Sequence, residues 1–326
     1  MSFIRNDFGN DMPVFNGERF PFIGGDLQTL RNSFVSEIPA IAPGIDATIQ
    51  LDDGDKLCIA RHEINRPAKA VMIAIHGLAG DYDSPYIRHL TNQAMAEDYH
   101  VIRVNLRGAG KGRALAKSSY HAGAAGDLYQ LVQQLRSDYP DLPLIMAAFS
   151  LGGTMAVNLV ARHDMTGLLS GLVSFCAPLD MRACAERFHQ RRNFIYNRHF
   201  TKALVAQARS GPTRYPEKIA RLSQARTVRD FDNCLTAPMA GYQDADDYYA
   251  GTTPLAFLPN ISIPTLLVHS DNDPWIPVSA YQAIPSLKSV FCLITRGGGH
   301  VGFHDKHSKK RCWQSAIALH FAYQIT

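Results

Sequence analysis

The sequence lacks the segments that carry a protein into or across a membrane. Its 326 residues hold no apolar run long enough to span a bilayer, and a run such as Val71 to Ile75 is only as long as a strand. The first eleven residues carry Arg5, Asp7 and Asp11 and contain no apolar core of a secretory signal. The six cysteines form no C-x-x-C pair and no zinc spacing, so we expect reduced, buried thiols in a cytoplasmic protein.

Motifs for nucleotides, cofactors and metals are also missing. The stretch from Arg107 to Gly112 matches neither G-x-x-x-x-G-K-[ST] nor G-x-G-x-x-G, and we interpret it as a turn under the active site. His300, His304 and His307 have a spacing that suits metal ligands on a helix, but no H-E-x-x-H pattern accompanies them. A net charge of +4 without a matching fold is weak evidence for a nucleic acid. We therefore predict no cofactor, no metal and no nucleic-acid partner.

What the sequence does contain is an alternation of strand-like and helix-like segments. Hydrophobic residues make up 46% of it and charged residues 19%, as in a globular protein. Short apolar runs suit strands that are buried on both faces, and apolar residues at i, i+3, i+4 and i+7 predict helices. The predicted strands are 71–75, 101–105, 144–149, 171–175, 265–269 and 290–294, and the predicted helices include 86–98, 125–139 and 308–323. Residues 48–51 and 57–62 are predicted to form a β-hairpin, and residues 1–45, with four prolines, to be irregular. The alternation predicts an α/β fold with a mostly parallel central sheet flanked by helices.

The alternation stops over residues 180–250, which contain no convincing buried strand. From Arg182 to Arg229 there are ten Arg and two Lys against two Glu, so that 12 − 2 gives +10. We predict that the whole chain, 1–326, is one domain and that 180–250 is a helical cap insertion over the C-terminal edge of the sheet. Its charge fits either a solvated helical face or a lid that approaches anionic lipid surfaces or acidic substrates.

A strand, a sharp turn and a helix meet at Ser150. The apolar run from Leu144 to Phe149 ends at this serine, and Gly152 and Gly153 follow before a helical segment. This is the order of a nucleophile elbow, in which a strained turn pushes the serine hydroxyl out of the sheet. Small residues must flank the serine there, and the pattern is A-x-S-x-G, with Ala148 where glycine is usual. Ser150 is therefore the predicted nucleophile.

A serine hydroxyl needs a base, and the base needs a carboxylate that orients it. On a hydrolase sheet the acid and then the histidine arrive in loops after later strands. The loop after 265–269 offers Asp271 and Asp273, and the glycine-rich loop after 290–294 offers His300. We favour Asp273 because it lies one turn further into its loop, while Asp271 is the alternative and more plausibly caps the turn.

The tetrahedral intermediate requires two N–H donors for its oxyanion. One is predicted from Leu151, the residue after the nucleophile. The other is predicted from Leu78, in the loop after 71–75, where Gly77 lets the chain turn.

These motifs resemble those of the α/β-hydrolases and, within them, the YheT-like esterases. The resemblance covers most of the chain and is most specific in its C-terminal loop; it is carried by Leu27-Gln28-Thr29, His76-Gly77-Leu78, Ser84-Pro85-Tyr86, Tyr120-His121-Ala122-Gly123, Phe149-Ser150-Leu151-Gly152-Gly153, Phe231-Asp232, Asp273-Pro274 and Gly298-Gly299-His300-Val301-Gly302-Phe303. The departures are Asp26 before Leu27, Ala148, and Asn272 in place of the first of two adjacent aspartates.

The resemblance implies a Ser-Asp-His triad at Ser150, Asp273 and His300 on an α/β-hydrolase core with a helical cap. It also implies a serine esterase that hydrolyses carboxylic esters with short or medium acyl chains, acylglycerols among them, and a small-molecule ester as the partner. The alternatives are a thioester or lactone hydrolase or an acyltransferase with the same triad, and a binding protein that kept the fold without turnover.

Overall fold

A nine-stranded sheet forms the centre of the described part of the chain. The computed structural model describes residues 3–5, 12–34, 40–307 and 312–326. The strands are β1 Phe3–Arg5, β2 Ile45–Gln50, β3 Lys56–His62, β4 Ala70–Ile75, β5 Tyr99–Asn105, β6 Leu144–Phe149, β7 Gly171–Phe175, β8 Thr265–Ser270 and β9 Val290–Thr295. Their spatial order is β1-β9-β8-β7-β6-β4-β5-β3-β2.

The central strands, from β5 to β9 in that order, are parallel, and the strands outside them are antiparallel. Side chains of β4 alternate between two cores: Ile73 belongs to one face of the sheet, whereas Met72 belongs to the other. Because both faces are covered, the strand is apolar throughout rather than alternating in polarity. The six predicted strands and the hairpin are confirmed, as is the mostly parallel α/β arrangement.

Twelve α-helices accompany the sheet in the described residues. They are α1 Gly25–Phe34, α2 Pro85–Ala96, α3 Ala125–Asp138, α4 Leu151–Arg162, α5 Met181–His189, α6 Phe194–Arg209, α7 Pro216–Arg221, α8 Val228–Phe231, α9 Ala237–Met239, α10 Ala245–Thr252, α11 Ser279–Gln282 and α12 Trp313–Ile325. Short 3-10 helices cover Gly110–Leu115, Arg191–Asn193, Leu222–Gln224 and Leu255–Asn260, and Asp232–Thr236 is a π-helical turn. The closing helix was expected at 308–323; α12 begins later, and residues 308–311 lie outside the described part of the chain. Within the described ranges, no helix has both the length and the apolar character that crossing a bilayer requires.

The prediction that residues 1–45 are irregular is wrong. β1 pairs with β9 at the edge of the sheet, and α1 is a ten-residue helix. Proline positions and apolar periodicity did not reveal α1 because long-range hydrogen bonds hold it. The Gln28 side chain is buried and its Oε1 accepts a hydrogen bond from the His304 N–H at 2.7 Å.

The chain between β7 and β8 is helical, with α5 to α10 and no strand among these described residues. These helices face the carboxyl ends of the parallel strands, and a cavity of about 300 Å³ lies between the two. Ligands bind at this edge in open α/β sheets. The cavity is lined by Ser150 and His300 from the sheet side and by Phe188, Leu204 and Leu235 from the helical side.

Candidate active site

Ser150 occupies a strained turn between β6 and α4. Its φ and ψ angles are 53° and −126°, in a region that non-glycine residues rarely adopt. The turn brings α4 against the loop after β4: a Cβ at Gly152 would lie 2.1 Å from the His76 carbonyl oxygen. A side chain at 152 would therefore push the helix away and close the turn around the serine differently.

Three side chains from separate loops form a continuous hydrogen-bonded chain. The Ser150 Oγ lies 2.8 Å from His300 Nε2, and His300 Nδ1 lies 2.7 Å from Asp273 Oδ2. The His300 side chain is 5% exposed and the Asp273 side chain is 0% exposed. The structure thus brings the three predicted residues together within hydrogen-bonding distance, after β6, β8 and β9.

The Asp273 carboxylate is fixed by more than the histidine. Its Oδ1 accepts hydrogen bonds from the backbone N–H groups of Trp275 and Ile276, at 2.8 and 2.9 Å. Burial alone would raise the pKa of this carboxyl, but the charge and hydrogen bond of His300 outweigh it, so the pKa lies below its ordinary value. The group therefore stays ionised and accepts a hydrogen bond from the His300 Nδ1–H.

Asp271, the alternative acid, lies elsewhere. Its Oδ1 accepts a hydrogen bond from the Gly297 N–H at 2.8 Å, and so it ties the loop after β8 to the loop after β9. No hydrogen bond joins the described side chains of Asp271 and His300.

The loop after β4 presents one backbone donor that has no partner among the described residues. The Gly77 N–H donates to the Tyr86 hydroxyl at 3.1 Å, and the Ala79 N–H donates to the Tyr120 hydroxyl at 2.8 Å. The Leu78 N–H between them is left free. The Leu151 N–H is the first of α4 and has no carbonyl of its own helix to donate to. The two predicted oxyanion donors are thus both uncommitted, and they flank Ser150.

Gly77 is required by the close approach of this loop to the nucleophile. A Cβ on it would lie 2.8 Å from Ser150 Cβ and 3.2 Å from the Phe149 carbonyl oxygen. Only glycine allows the loop after β4 to pass this near Ser150.

His76, which belongs to the His76-Gly77-Leu78 motif, holds the loop after β4 in place through hydrogen bonds. Its Nδ1 lies 2.7 Å from the Gly77 carbonyl oxygen, and its Nε2 accepts from the Leu106 N–H at 3.1 Å. The pairing of a donor and an acceptor requires the neutral ring with the proton on Nδ1. Burial lowers the pKa of His76 to about 4, so the ring stays neutral near pH 7.

Two residues near the N-terminus, Glu18 and Thr29, form hydrogen bonds with the loops after β8 and β9. The Thr29 Oγ1 accepts from the His300 N–H at 2.8 Å. The Glu18 carboxylate accepts from the Gly298 N–H at 3.0 Å and from the Asn272 side chain at 2.7 Å. No function was predicted for Glu18 or Thr29 from the sequence. The Leu27-Gln28-Thr29 motif was the signal that could have pointed to Thr29, but the motif alone indicates no role.

The structure does not assemble the alternative metal site at His300, His304 and His307, because both ring nitrogens of His300 face Ser150 and Asp273. Among the described residues, the side chains that could hold an ion together are Cys176, His269 and Asp273, with ligand atoms within 4.8 Å of one another. Burial raises the pKa of the Cys176 thiol well above its ordinary value, which disfavours the thiolate that a metal needs.

Comparison with known proteins agrees with this architecture. Residues 70–307 match the sequence profile of the alpha/beta hydrolase fold family. The chain is 30% identical over 269 residues to the Escherichia coli (strain K12) protein named "Putative esterase YheT", covering 78% of this chain and 77% of that protein. It is 25% identical over 297 residues to "Phospholipase ABHD3" of Mus musculus, covering 87% of this chain and 72% of the relative. The solved structure of the Pyrococcus furiosus esterase Pf2001 superposes with a TM-score of 0.60 at 15% identity, covering 98% of this chain and all of that one, and shares the fold.

Proposed function

Because this chain belongs to the α/β-hydrolase family and is a carboxylic ester hydrolase, we propose that Ser150, His300 and Asp273 form its catalytic triad and that Leu78 and Leu151 form its oxyanion hole. The observation that carries the proposal is the unbroken hydrogen-bonded chain from the Ser150 hydroxyl to the buried Asp273 carboxylate.

The first half of the reaction acylates the enzyme. The Ser150 Oγ attacks the ester carbonyl carbon while its proton passes to His300 Nε2, and the carbonyl oxygen becomes an oxyanion held by the two backbone N–H groups. The C–O bond to the alcohol then breaks, and His300 returns the proton to the departing alkoxide oxygen. The ionised Asp273 stabilises the imidazolium that forms in between.

The second half releases the acid. His300 takes a proton from water, the hydroxide adds to the acyl carbon, and the bond to Ser150 Oγ breaks as the proton returns to the serine. The carboxylic acid leaves and the starting state is restored. No step requires a group from outside the chain other than water.

We propose esters with short or medium acyl chains, acylglycerols among them, as the substrates. Most of the surface that lines the cavity is apolar, with Phe188, Phe200, Leu204 and Leu235 among the lining side chains. A cavity of about 300 Å³ is at the lower end of the range for small-molecule sites, which favours chains of modest length.

Labelling with a fluorophosphonate probe, read by intact mass, tests the triad. Wild-type protein is expected to gain one adduct, because the probe reports an activated serine beside formed oxyanion donors. Ser150→Ala is expected to gain none, to lose ester hydrolysis by at least about 10⁴-fold and to keep its thermal transition. An adduct on Ser150→Ala, or none on folded wild type, would refute the assignment.

We also propose that the helical segment between β7 and β8 contacts anionic lipid. Phe194 and Ile195 open α6 and are 62% and 79% exposed, and Arg191, Arg192 and Arg198 flank them. Exposed apolar side chains within a basic surface suit the interface of an anionic bilayer.

This surface lies close to the triad. The ring of Tyr196, the next residue, is 5.1 Å from the ring of Trp275, and Trp275 packs on His300 at 4.4 Å. A substrate that leaves a bilayer here would enter the cavity directly.

Co-sedimentation with vesicles tests the contact. Binding to phosphatidylglycerol vesicles is expected to exceed binding to phosphatidylcholine vesicles, and Phe194→Ser with Ile195→Ser should weaken it about tenfold or more. The same double variant should hydrolyse a water-soluble ester at the wild-type rate. Equal binding to both vesicle types would contradict an electrostatic contact.

A further inference from the structure

Among the residues that the structure describes, one carboxyl group lines the cavity on its helical side. Asp232 is 8% exposed and begins the π-helical turn Asp232–Thr236. The neighbouring lining residues on that side include Phe231 and Leu235, which are apolar. Single π-helical turns interrupt α-helices at a cost and are frequent at functional sites. Asp273, the acid of the proposed triad, does not line the cavity. The Asp232 carboxyl is a separate group that has no part in the proposed reaction.

Among the described residues, Asp232 has hydrogen-bond donors but forms no ion pair, although Arg229 lines the same cavity. The Tyr249 hydroxyl donates to Asp232 Oδ2 at 2.8 Å. A hydrogen bond from the Thr236 hydroxyl also stabilises the charged form of the carboxyl. In the part of the chain that the structure describes, no Lys, Arg or His forms an ion pair with it; Arg229, one turn earlier, pairs with Asp246. Burial raises the pKa of Asp232 to about 6.

A buried acid of this kind is expensive for the folded state. Desolvation of a charge costs several kcal/mol unless a partner repays it, and two neutral hydroxyls repay only part. A carboxylate can accept about four hydrogen bonds, so capacity remains for a donor that enters the cavity. A purely structural role would be filled at lower cost by an amide or an apolar side chain.

We propose that Asp232, supported by Tyr249, is a substrate-binding residue that accepts a hydrogen bond from a hydroxyl group on the ester. The proposal rests on the proposed esterase function and adds its substrate class: hydroxylated esters, which are either partial esters of polyols or esters of hydroxy acids. The apolar lining holds the hydrocarbon part, and Asp232 selects molecules that bring a hydroxyl to the helical wall.

Matched esters distinguish the two sources of the hydroxyl. Hydroxypropyl octanoate carries it on the alcohol and propyl ω-hydroxyoctanoate carries it on the acyl chain, and propyl octanoate is the deoxy reference for both. The acid released is titrated to give kcat/KM for each ester. Wild-type protein should prefer one hydroxylated ester over the reference by at least about tenfold, which is the smaller end for a hydrogen bond to a charged acceptor.

The variant Asp232→Asn should reduce that preference to about threefold or less, mainly through KM for the preferred ester. Asp232→Leu should remove the preference. The exposed Asp141 provides a matched control, and Asp141→Asn should behave as wild type.

Thermal unfolding separates a binding role from a structural one. Asp232→Asn removes an incompletely paired buried charge, and its amide oxygen can still accept from the Tyr249 hydroxyl, so this variant should keep or raise Tm. A fall in Tm together with an equal loss of activity on all three esters would overturn the proposal in favour of a structural role.

The wild-type ratio needs no variant and can overturn the proposal by itself. Equal kcat/KM for the hydroxylated and deoxy esters would do so, as would a larger preference for trimethylammoniopropyl octanoate, which has charge but no donor. Failure of the esterase function gives a different result, because wild-type protein would then cleave none of the esters and would gain no fluorophosphonate adduct.

Discussion

The two sides of the cavity differ in how completely their buried carboxylates are hydrogen-bonded. On the sheet wall, formed by the loops after β4, β6, β8 and β9, the Asp273 carboxylate accepts from His300 and from two backbone N–H groups. On the helical wall, formed by α5 to α10, the Asp232 carboxylate has two hydroxyl neighbours and no ion pair among the described residues. Burial raises the pKa of Asp232, whereas the pKa of Asp273 lies below its ordinary value in spite of complete burial.

This difference separates two requirements of an enzyme. The reacting groups must be held within a fraction of an ångström, and a fully bonded sheet edge supplies that. A group that selects substrates must keep free hydrogen-bonding capacity until the substrate arrives, and it then destabilises the empty protein. If the comparison is right, changes on the sheet wall should slow every ester alike, while changes at Asp232 should alter the ratio between esters.

The largest effect is expected from Asp273→Asn. The amide keeps the size of the carboxyl, but its nitrogen donates a hydrogen bond to His300 Nδ1 instead of accepting one, so the ring takes the wrong tautomer. Hydrolysis of all esters should fall by about 10⁴-fold with little change in Tm, as measured by initial rates and calorimetry.

Asp271→Asn is the matched control, because Asp271 was the alternative acid and its carboxylate accepts a hydrogen bond from the Gly297 N–H at 2.8 Å rather than from His300. It should retain most of the activity. The reverse outcome, a greater loss from Asp271→Asn, would reassign the acid and break the contrast between the walls.

A smaller but still uniform loss is expected from Gly77→Ala. The new Cβ would meet Ser150 Cβ at 2.8 Å, so the loop must move and carry the Leu78 N–H out of line. We expect kcat to fall by about 10² to 10³-fold on every ester, the usual cost of one oxyanion donor. Gly126→Ala adds the same methyl group in α3 with nothing within 4 Å, and its rates should match wild type.

Much of the fold could be predicted because strands buried on both faces leave continuous apolar runs, as in 144–149 and 265–269. The triad positions follow from loop order, since Ser150, Asp273 and His300 each come directly after such a run. Their catalytic roles stay a prediction, as do the domain count and the cytoplasmic location.

The missed features depend on contacts between distant parts of the chain. Glu18 bonds Gly298 across 280 positions, and no local pattern signals such a bond. Asp232 was quoted as part of a motif, but its burial in the cavity wall depends on how α8 and α10 pack. Local apolar periodicity predicts secondary structure. Hydrogen bonds between distant segments and the residues that line a cavity depend on tertiary packing, which local patterns do not indicate.

Acid should weaken the sheet wall through His76. Burial lowers the pKa of His76 from 6.5 to about 4, so the unfolded chain takes up a proton first as the pH falls. The stability that depends on the neutral ring is therefore complete above about pH 6.5 and is lost progressively towards about pH 4. At 1.36 kcal/mol for each pKa unit, protonation of this residue should lower the free energy of unfolding by about 3 kcal/mol over that range. Urea unfolding over this range should show a shallower pH dependence in His76→Gln than in wild type, whereas the exposed His163→Gln should keep the wild-type slope. An unchanged slope in His76→Gln would mean that a neutral, buried His76 ring does not stabilise the loop after β4. It would also contradict the view that the sheet wall is the rigid side of the cavity.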